Sequence, residues 1–185
     1  MEPGKEKRKG RKSMETLAYE YRWAKVDEWI PAMDMIWRTF QKFEGDIYTE
    51  QGVKNFYEFI TDYDLYRAFL NGKYRLMIAL DDNKIIGAAS VRDRRHLSLL
   101  FVDEAYHYRG VGRTLVDRLC DYVKTQLGEP CMTVRSSPYA VDFYKKIGFR
   151  AVSPQECIEG MFVTAMEKEL VCQRKERIDL DYENF

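Results

Sequence analysis

The stretch from His96 to Leu127 constrains this chain more than any other. An apolar run, His96–Val102 (HLSLLFV), has the composition of a strand, and Arg109-Gly110-Val111-Gly112 follows a few residues later. From between the glycines onward, Val111, Leu115, Leu119, Val123 and Leu127 recur at every fourth position. Residues four apart share one face of a helix, so this segment is a helix with a single buried side. A strand that turns through two glycines into a helix exposes the free N–H groups of the first helical turn, together with the positive end of the helix dipole. Such a junction is suited to an anion. The glycines let a ligand approach the backbone closely, and Arg109 and Arg113 add positive charge.

Two familiar phosphate loops do not fit. A dinucleotide fingerprint requires a third glycine where Leu115 stands, and a triphosphate loop requires lysine after the second glycine, where Arg113 stands. A cradle for the pyrophosphate of coenzyme A remains, as does a tight turn whose glycines serve only the bend.

Elsewhere the hydrophobic period switches repeatedly. Tyr19–Ala24 (YEYRWA) reads as an aromatic-rich edge strand. Pro31 stands where a helix begins, and Ile30, Met33, Ile36, Trp37, Phe40 and Phe43 recur at helical spacing until Gly45-Asp46. Thr49 opens a second helix whose apolar residues continue to Leu70, before Asn71-Gly72. Tyr74–Leu80 and Lys84–Val91 flank the turn Asp81-Asp82-Asn83, and His96–Val102 is the third strand of that meander. After the glycine-led helix come a short strand, Cys131–Val134, and Ser137-Pro138, which has the form of an N-cap with proline in the first turn. Gly148 closes that helix, and Phe162–Met166 is the last strand. The order β, α, α, β, β, β, α, β, α, β predicts an α/β domain: a single mixed, mostly antiparallel sheet flanked by helices on both faces.

Composition narrows the class further. The 185 residues suit one domain, and 45% hydrophobic with 32% charged residues is the balance of a globular protein. Thirty basic side chains match thirty acidic ones, so nucleic acid is not an expected partner. No apolar run approaches the roughly 18 residues that cross a bilayer, and none near the start resembles a signal-peptide core. The expected setting is cytoplasmic, with no membrane partner. Cys120, Cys131, Cys157 and Cys172 are widely spaced and the chain has two histidines, so neither a disulfide scaffold nor a metal site is expected. Residues 1–13 form a basic, disordered tail carrying six lysines and arginines between positions 5 and 12, residues 14–170 the domain, and residues 171–185 a charged C-terminal tail.

From His96 onward the chain resembles the GNAT superfamily of N-acetyltransferases. LLFVDEAYHYRGVGRTLVDRL is similar to that family's acetyl-CoA signature, and YAVDFYKKIGF, about thirty-five residues later, to its second motif, a helix carrying a tyrosine and ending in Gly-Phe. The resemblance implies the GNAT acyl-CoA N-acyltransferase fold, acetyl-CoA as co-substrate and no metal. It places the pyrophosphate on Arg109, Gly110, Val111, Gly112, Arg113 and Thr114, and the pantetheine arm along Leu100, Phe101 and Val102. His107 stands where the family usually has Arg or Gln. Tyr144 matches the tyrosine that often protonates the departing thiolate.

His96 occupies the register of a glutamate or histidine that acts as base in several members, with Ser98 able to assist through water. Strict alternation would set His96, Ser98, Leu100 and Val102 on one face. The implied reaction is acetyl transfer to a primary amine by direct attack, the acceptor a small molecule, with a protein lysine or N-terminus, or a non-catalytic acyl-CoA sensor, as alternatives. Residues 27–50 contribute six acids, and with Trp37, Phe40, Phe43 and Tyr48 interleaved these would either line a pocket for a cationic amine or form a solvated face over a core. Oligomeric state, a homodimer included, stays open.

Overall fold

The computed structural model describes residues 19–170, so both tails lie outside the described residues. Alternation builds the centre of the sheet. Along β2 (Arg75–Asp81), Leu76, Ile78 and Leu80 enter one buried cluster and Met77 and Ala79 the other. A strand buried on both sides needs cover on both. Helices α1 (Trp29–Phe43), α2 (Glu50–Thr61) and α3 (Tyr63–Leu70) cover the first face, and α4 (Val111–Thr125) and α5 (Val141–Lys146) the second. With β1 (Glu20–Trp23), β3 (Lys84–Arg92), β4 (His96–Val102), β5 (Cys131–Ser136), β6 (Arg150–Ala151), β7 (Glu156–Ile158) and β8 (Met161–Glu169), the order is β1-β2-β3-β4-β5-β8-β6, and β7 pairs with β8. The β4–β5 pairing is parallel and the others among the described residues are antiparallel. This is the mixed, mostly antiparallel sheet with helices on both faces that the periodicity predicted.

Four local features depart from the sequence reading, each for a physical reason. The helix expected from Thr49 to Leu70 is two helices, because Asp62 is extended and its carboxylate accepts hydrogen bonds from the N–H groups of Asp64 (2.5 Å) and Leu65 (2.9 Å), capping α3. Ile30, counted on the apolar face of α1, is 70% exposed, and Trp29, Ala32, Met33, Met35, Ile36 and Phe40 carry the burial. Ser137 caps no helix. Its carbonyl accepts from the Ala140 N–H in a turn, and α5 starts only at Val141.

The fourth is a bulge in β4. Val91 pairs with Leu97 but Ser90 with Leu99, which leaves Ser98 as an extra residue. A bulge resets alternation. Leu97, Leu100 and Val102 therefore face the α4 side, and Leu99 and Phe101 the α1 side. The Ser98 hydroxyl closes a ring with Tyr74 Oη (2.9 Å) and Ser90 Oγ (2.9 Å) on the α1 side, so it does not share a face with Leu100 and Val102.

Candidate active site

The site arises where the two central strands part. β4 and β5 pair only through His96 and Leu97 with Thr133 and Val134. Beyond that point β4 stays on β3 as far as Val102 while β5 follows β8 to Ser136. Among the described residues, the β4 edge from Leu99 to Val102 consequently has no strand beside it on the β5 side. A cavity of about 510 Å³ fills the opening, walled by Leu100, Phe101 and Val102 of β4, by Gly110–Arg113, by Tyr139 and Tyr144, and by Phe43 and Glu44 at the end of α1.

One wall is bare backbone. Gly110, the N-cap of α4, has φ of 81°, a left-handed conformation that glycine adopts without strain. Helical bonding begins with the Thr114 N–H donating to Gly110 O at 3.0 Å. The N–H groups of Gly110, Val111, Gly112 and Arg113 find no acceptor among the described residues, as expected for a first turn without a side-chain cap. A Cβ built on Gly112 would lie 3.5 Å from both Val102 Cγ2 and Phe143 Cζ, an ordinary contact. Packing therefore does not demand glycine there, and its absence of a side chain keeps the amides open to the cavity.

His107 Nε2 donates to the Val102 carbonyl (2.7 Å), pinning the loop to the end of β4, and its ring lies 4.9 Å from that of Phe43. Leu100, Phe101, Val102, His107 and Gly110 to Arg113 are thus brought together around one cavity. Arg109 and Thr114 are not among its walls. The Arg109 guanidinium lies over the Tyr106 ring and reaches Tyr19 Oη at 3.5 Å, and the Thr114 amide is already bonded.

Of the residues singled out for chemistry, Tyr144 borders the cavity. Its ring packs edge-on against Phe143 and Phe149, each 5.3 Å away. Burial, and then the Glu44 carboxylate, raise its phenol well above the usual range, so it keeps its proton. His96 lies elsewhere, about 13 Å along β4 from Leu100 at roughly 3.3 Å per residue. It is half-buried, bonds Thr133 Oγ1 through Nδ1 at 3.0 Å, and is pushed down to about 4 by burial and then by Arg92 and Arg135.

The acids of residues 27–50 disperse. Glu28 makes a two-pronged pair with Arg22 (2.7 and 2.6 Å), which holds its carboxyl at about 2. Asp46 and Glu50 border a separate depression beside Tyr48. Phe40 stacks on Phe56 at 4.0 Å and Trp37 on Phe40 at 5.7 Å, so those two aromatics are packing. Glu44 alone of the six acids borders the main cavity.

The family model for the acetyltransferase (GNAT) domain matches residues 45–170. The chain belongs to the GNAT family. A Bacillus subtilis (strain 168) protein that carries the name acetyltransferase is 29% identical over 103 residues, which are 54% of this chain and 69% of that one. A GCN5-related N-acetyltransferase structure from Rhodopseudomonas palustris superposes with a TM-score of 0.71 at 26% identity, over 86% of this chain and 99% of the other. The PaiA N-acetyltransferase of Thermoplasma acidophilum, solved with coenzyme A, shares the fold at a TM-score of 0.67 and 19% identity, over 82% and 99% of the two chains.

Within this GNAT domain, sequence reasoning offered Phe43 and Glu44 only as members of a larger set of aromatics and acids, and it passed over Tyr139 as a cavity wall. Phe43 and Tyr139 stack at 5.5 Å although they are 96 positions apart. Their meeting depends on α1 crossing the end of the sheet, and no local spacing reports that.

Proposed function

We propose that the chain is an acetyl-CoA-dependent N-acetyltransferase that acylates a small-molecule primary amine by direct attack in a ternary complex. The observation that carries this reading is the joining of the unpaired Gly110–Arg113 amides and the open β4 edge in one cavity that also contains Tyr144. Bare amides at a helix N-terminus suit a diphosphate, and an unpaired strand edge suits an amide-bearing arm laid alongside it. The Val102 carbonyl already accepts from His107, so the rest of the edge, around Leu99 to Phe101, carries most of that pairing. The residues present fit the co-substrate.

Bound acetyl-CoA supplies an activated acyl group. Leu100 and Phe101, which line the cavity, would orient it, and a β4 amide would offset negative charge on the acyl oxygen. As the amine nitrogen bonds to the acyl carbon the carbon–sulfur bond breaks, and Tyr144 passes a proton from Oη to the sulfur, being reprotonated from the nitrogen. Burial that keeps the phenol neutral would also disfavour a free thiolate, so the sulfur takes the proton as its bond to carbon breaks. His96, half-buried and off the cavity, bonds Thr133 across the first of the two paired rungs between β4 and β5, and in this reading its part is to hold the strands together.

The test is release of free thiol from acetyl-CoA against a panel of primary amines, amino acids, polyamines and lysine peptides. Release with small amines is expected. Tight acetyl-CoA binding with no release by any acceptor would make the chain a sensor.

A further inference from the structure

Glu44 and Asp142 both line the cavity, and Glu44 is the one held by hydroxyls from two other segments. Glu44 follows the last residue of α1, where its N–H and that of Gly45 both donate to Phe40 O, at 2.8 and 3.0 Å. The chain doubles back so tightly that a Cβ on Gly45 would stand 2.8 Å from Gln41 O. That reversal sets Glu44 against the cavity and brings Tyr48 beneath it.

Two hydroxyls attend the carboxylate. Tyr48 Oη donates to Glu44 Oε2 at 3.1 Å, its ring held by stacking 5.6 Å from Phe40. Ser137, 7% exposed on the turn between β5 and α5, directs an enclosed Oγ at the same carboxylate and is left without a hydrogen bond of normal geometry. No lysine, arginine or histidine bonds Glu44 among the described residues. His107 is committed to Val102 O, and Arg113 to Lys146 O at 3.3 Å. Burial, partly opposed by the two hydroxyls, raises the Glu44 carboxyl above the usual range. A desolvated carboxylate with donors but no cation is costly unless a cation arrives from outside.

From this arrangement we infer that Glu44, positioned by Tyr48 and Ser137, receives the acceptor's ammonium group and takes from it the proton an amine must shed before it attacks. The inference rests on the acetyl-transfer reading above. The protons balance. Of the three on the ammonium nitrogen, one passes to Glu44 and on to solvent, one ends on the departing sulfur through Tyr144, and one stays on the product amide. The acceptor is therefore an amine that is cationic at neutral pH.

The groups facing Glu44 are Tyr48 from the α1–α2 connection, Ser137 and Tyr139 from the turn before α5, and Tyr144 from α5. His107, Arg113, Asp142 and Lys146 line the same cavity.

The experiment compares native protein with Glu44→Gln in thiol release from acetyl-CoA, using the fastest of a panel of primary alkylamines, from pH 6 to pH 10, with acetyl-CoA affinity measured alongside. The variant should lose at least a hundredfold in kcat/KM at pH 7, regain most of it as the pH nears the amine's own pKa, and bind acetyl-CoA as the native chain does. Tyr48→Phe keeps the stacking but removes a donor to the carboxylate, and it should move the native ascending limb to higher pH. A deficit in Glu44→Gln that is equal at pH 7 and pH 10, or no deficit, overturns the inference and leaves the transferase reading standing. If no amine raises thiol release by the native chain, the transferase reading falls and this inference with it.

Discussion

Replacing Gly112 with aspartate should separate the stability of the domain from its hold on acetyl-CoA. Gly112 is the second residue of α4 and its N–H is among those left bare. The backbone there is helical, and the new Cβ would sit in ordinary contact with Val102 and Phe143, so the fold admits a side chain. Exchanging a helical glycine gains a few tenths of a kcal/mol, and an acid in the first turn gains about 0.3–1 kcal/mol from the dipole and free amides. Together these amount to about 1 kcal/mol, which raises Tm by roughly 2–4 °C in a domain of this size.

The same carboxylate stands where the diphosphate is proposed to bind. Two unit charges in contact in a partly exposed site repel by about 4 kcal/mol, and halving that for solvent screening leaves about 2 kcal/mol, near a thirtyfold loss of affinity. Differential scanning calorimetry and titration with acetyl-CoA read the two quantities independently. A variant that melts at or above the native temperature but binds tenfold or more weakly supports the placement. Unchanged affinity in a folded Gly112→Asp protein would remove the α4 amides from the binding site.

Other perturbations probe the remaining parts. Tyr144→Phe should lower kcat by about a hundredfold or more, the range for a positioned general acid, while acetyl-CoA affinity stays within twofold; an unaltered kcat in steady-state thiol release refutes the role. Gly160→Ala should destabilise the domain by about 3 kcal/mol in urea denaturation, through a left-handed alanine and the loss of the α2 cap. Gly160 has φ of 83° and its Cβ would fall 2.2 Å from Thr49 Oγ1, so native-like stability would show that this contact is not rigid. The His96 pKa is about 4 when folded against about 6.5 unfolded, so the folded chain binds fewer protons in that interval. Native stability should hold above pH 6.5 and fall between pH 6.5 and 4, with a shallower fall in His96→Gln when urea midpoints are compared. The pH–rate profile of His96→Gln should superimpose on the native one, and a displaced profile would put His96 in the proton path.

What could be read without coordinates was whatever repeats locally. The boundaries of β4 and the four-residue rhythm of α4 follow from burial on one or both faces of a single element, and the structure reproduces them. The two glycines mark the junction because Gly110 takes the left-handed turn into α4 and Gly112 leaves the first-turn amides uncovered. Features set by one side chain acting on its own backbone were harder. Asp62 breaks a helix that its apolar neighbours would continue, and one extra residue at Ser98 reverses which of its neighbours face the cofactor side. Features that need two distant segments were invisible. Glu44 and Ser137 meet only because the end of α1 lies against the turn after β5, and β6, two residues long, exists only as a partner of β8.

The central claim is that the opening between β4 and β5 seats acetyl-CoA with its diphosphate on the N–H groups of Gly110 to Arg113. Crystals of the protein grown or soaked with acetyl-CoA test it most directly. The account predicts diphosphate oxygens within hydrogen-bond reach of those amides and the thioester beside Tyr144. Density for the ligand anywhere else, or an empty opening in crystals at saturating acetyl-CoA, would contradict it.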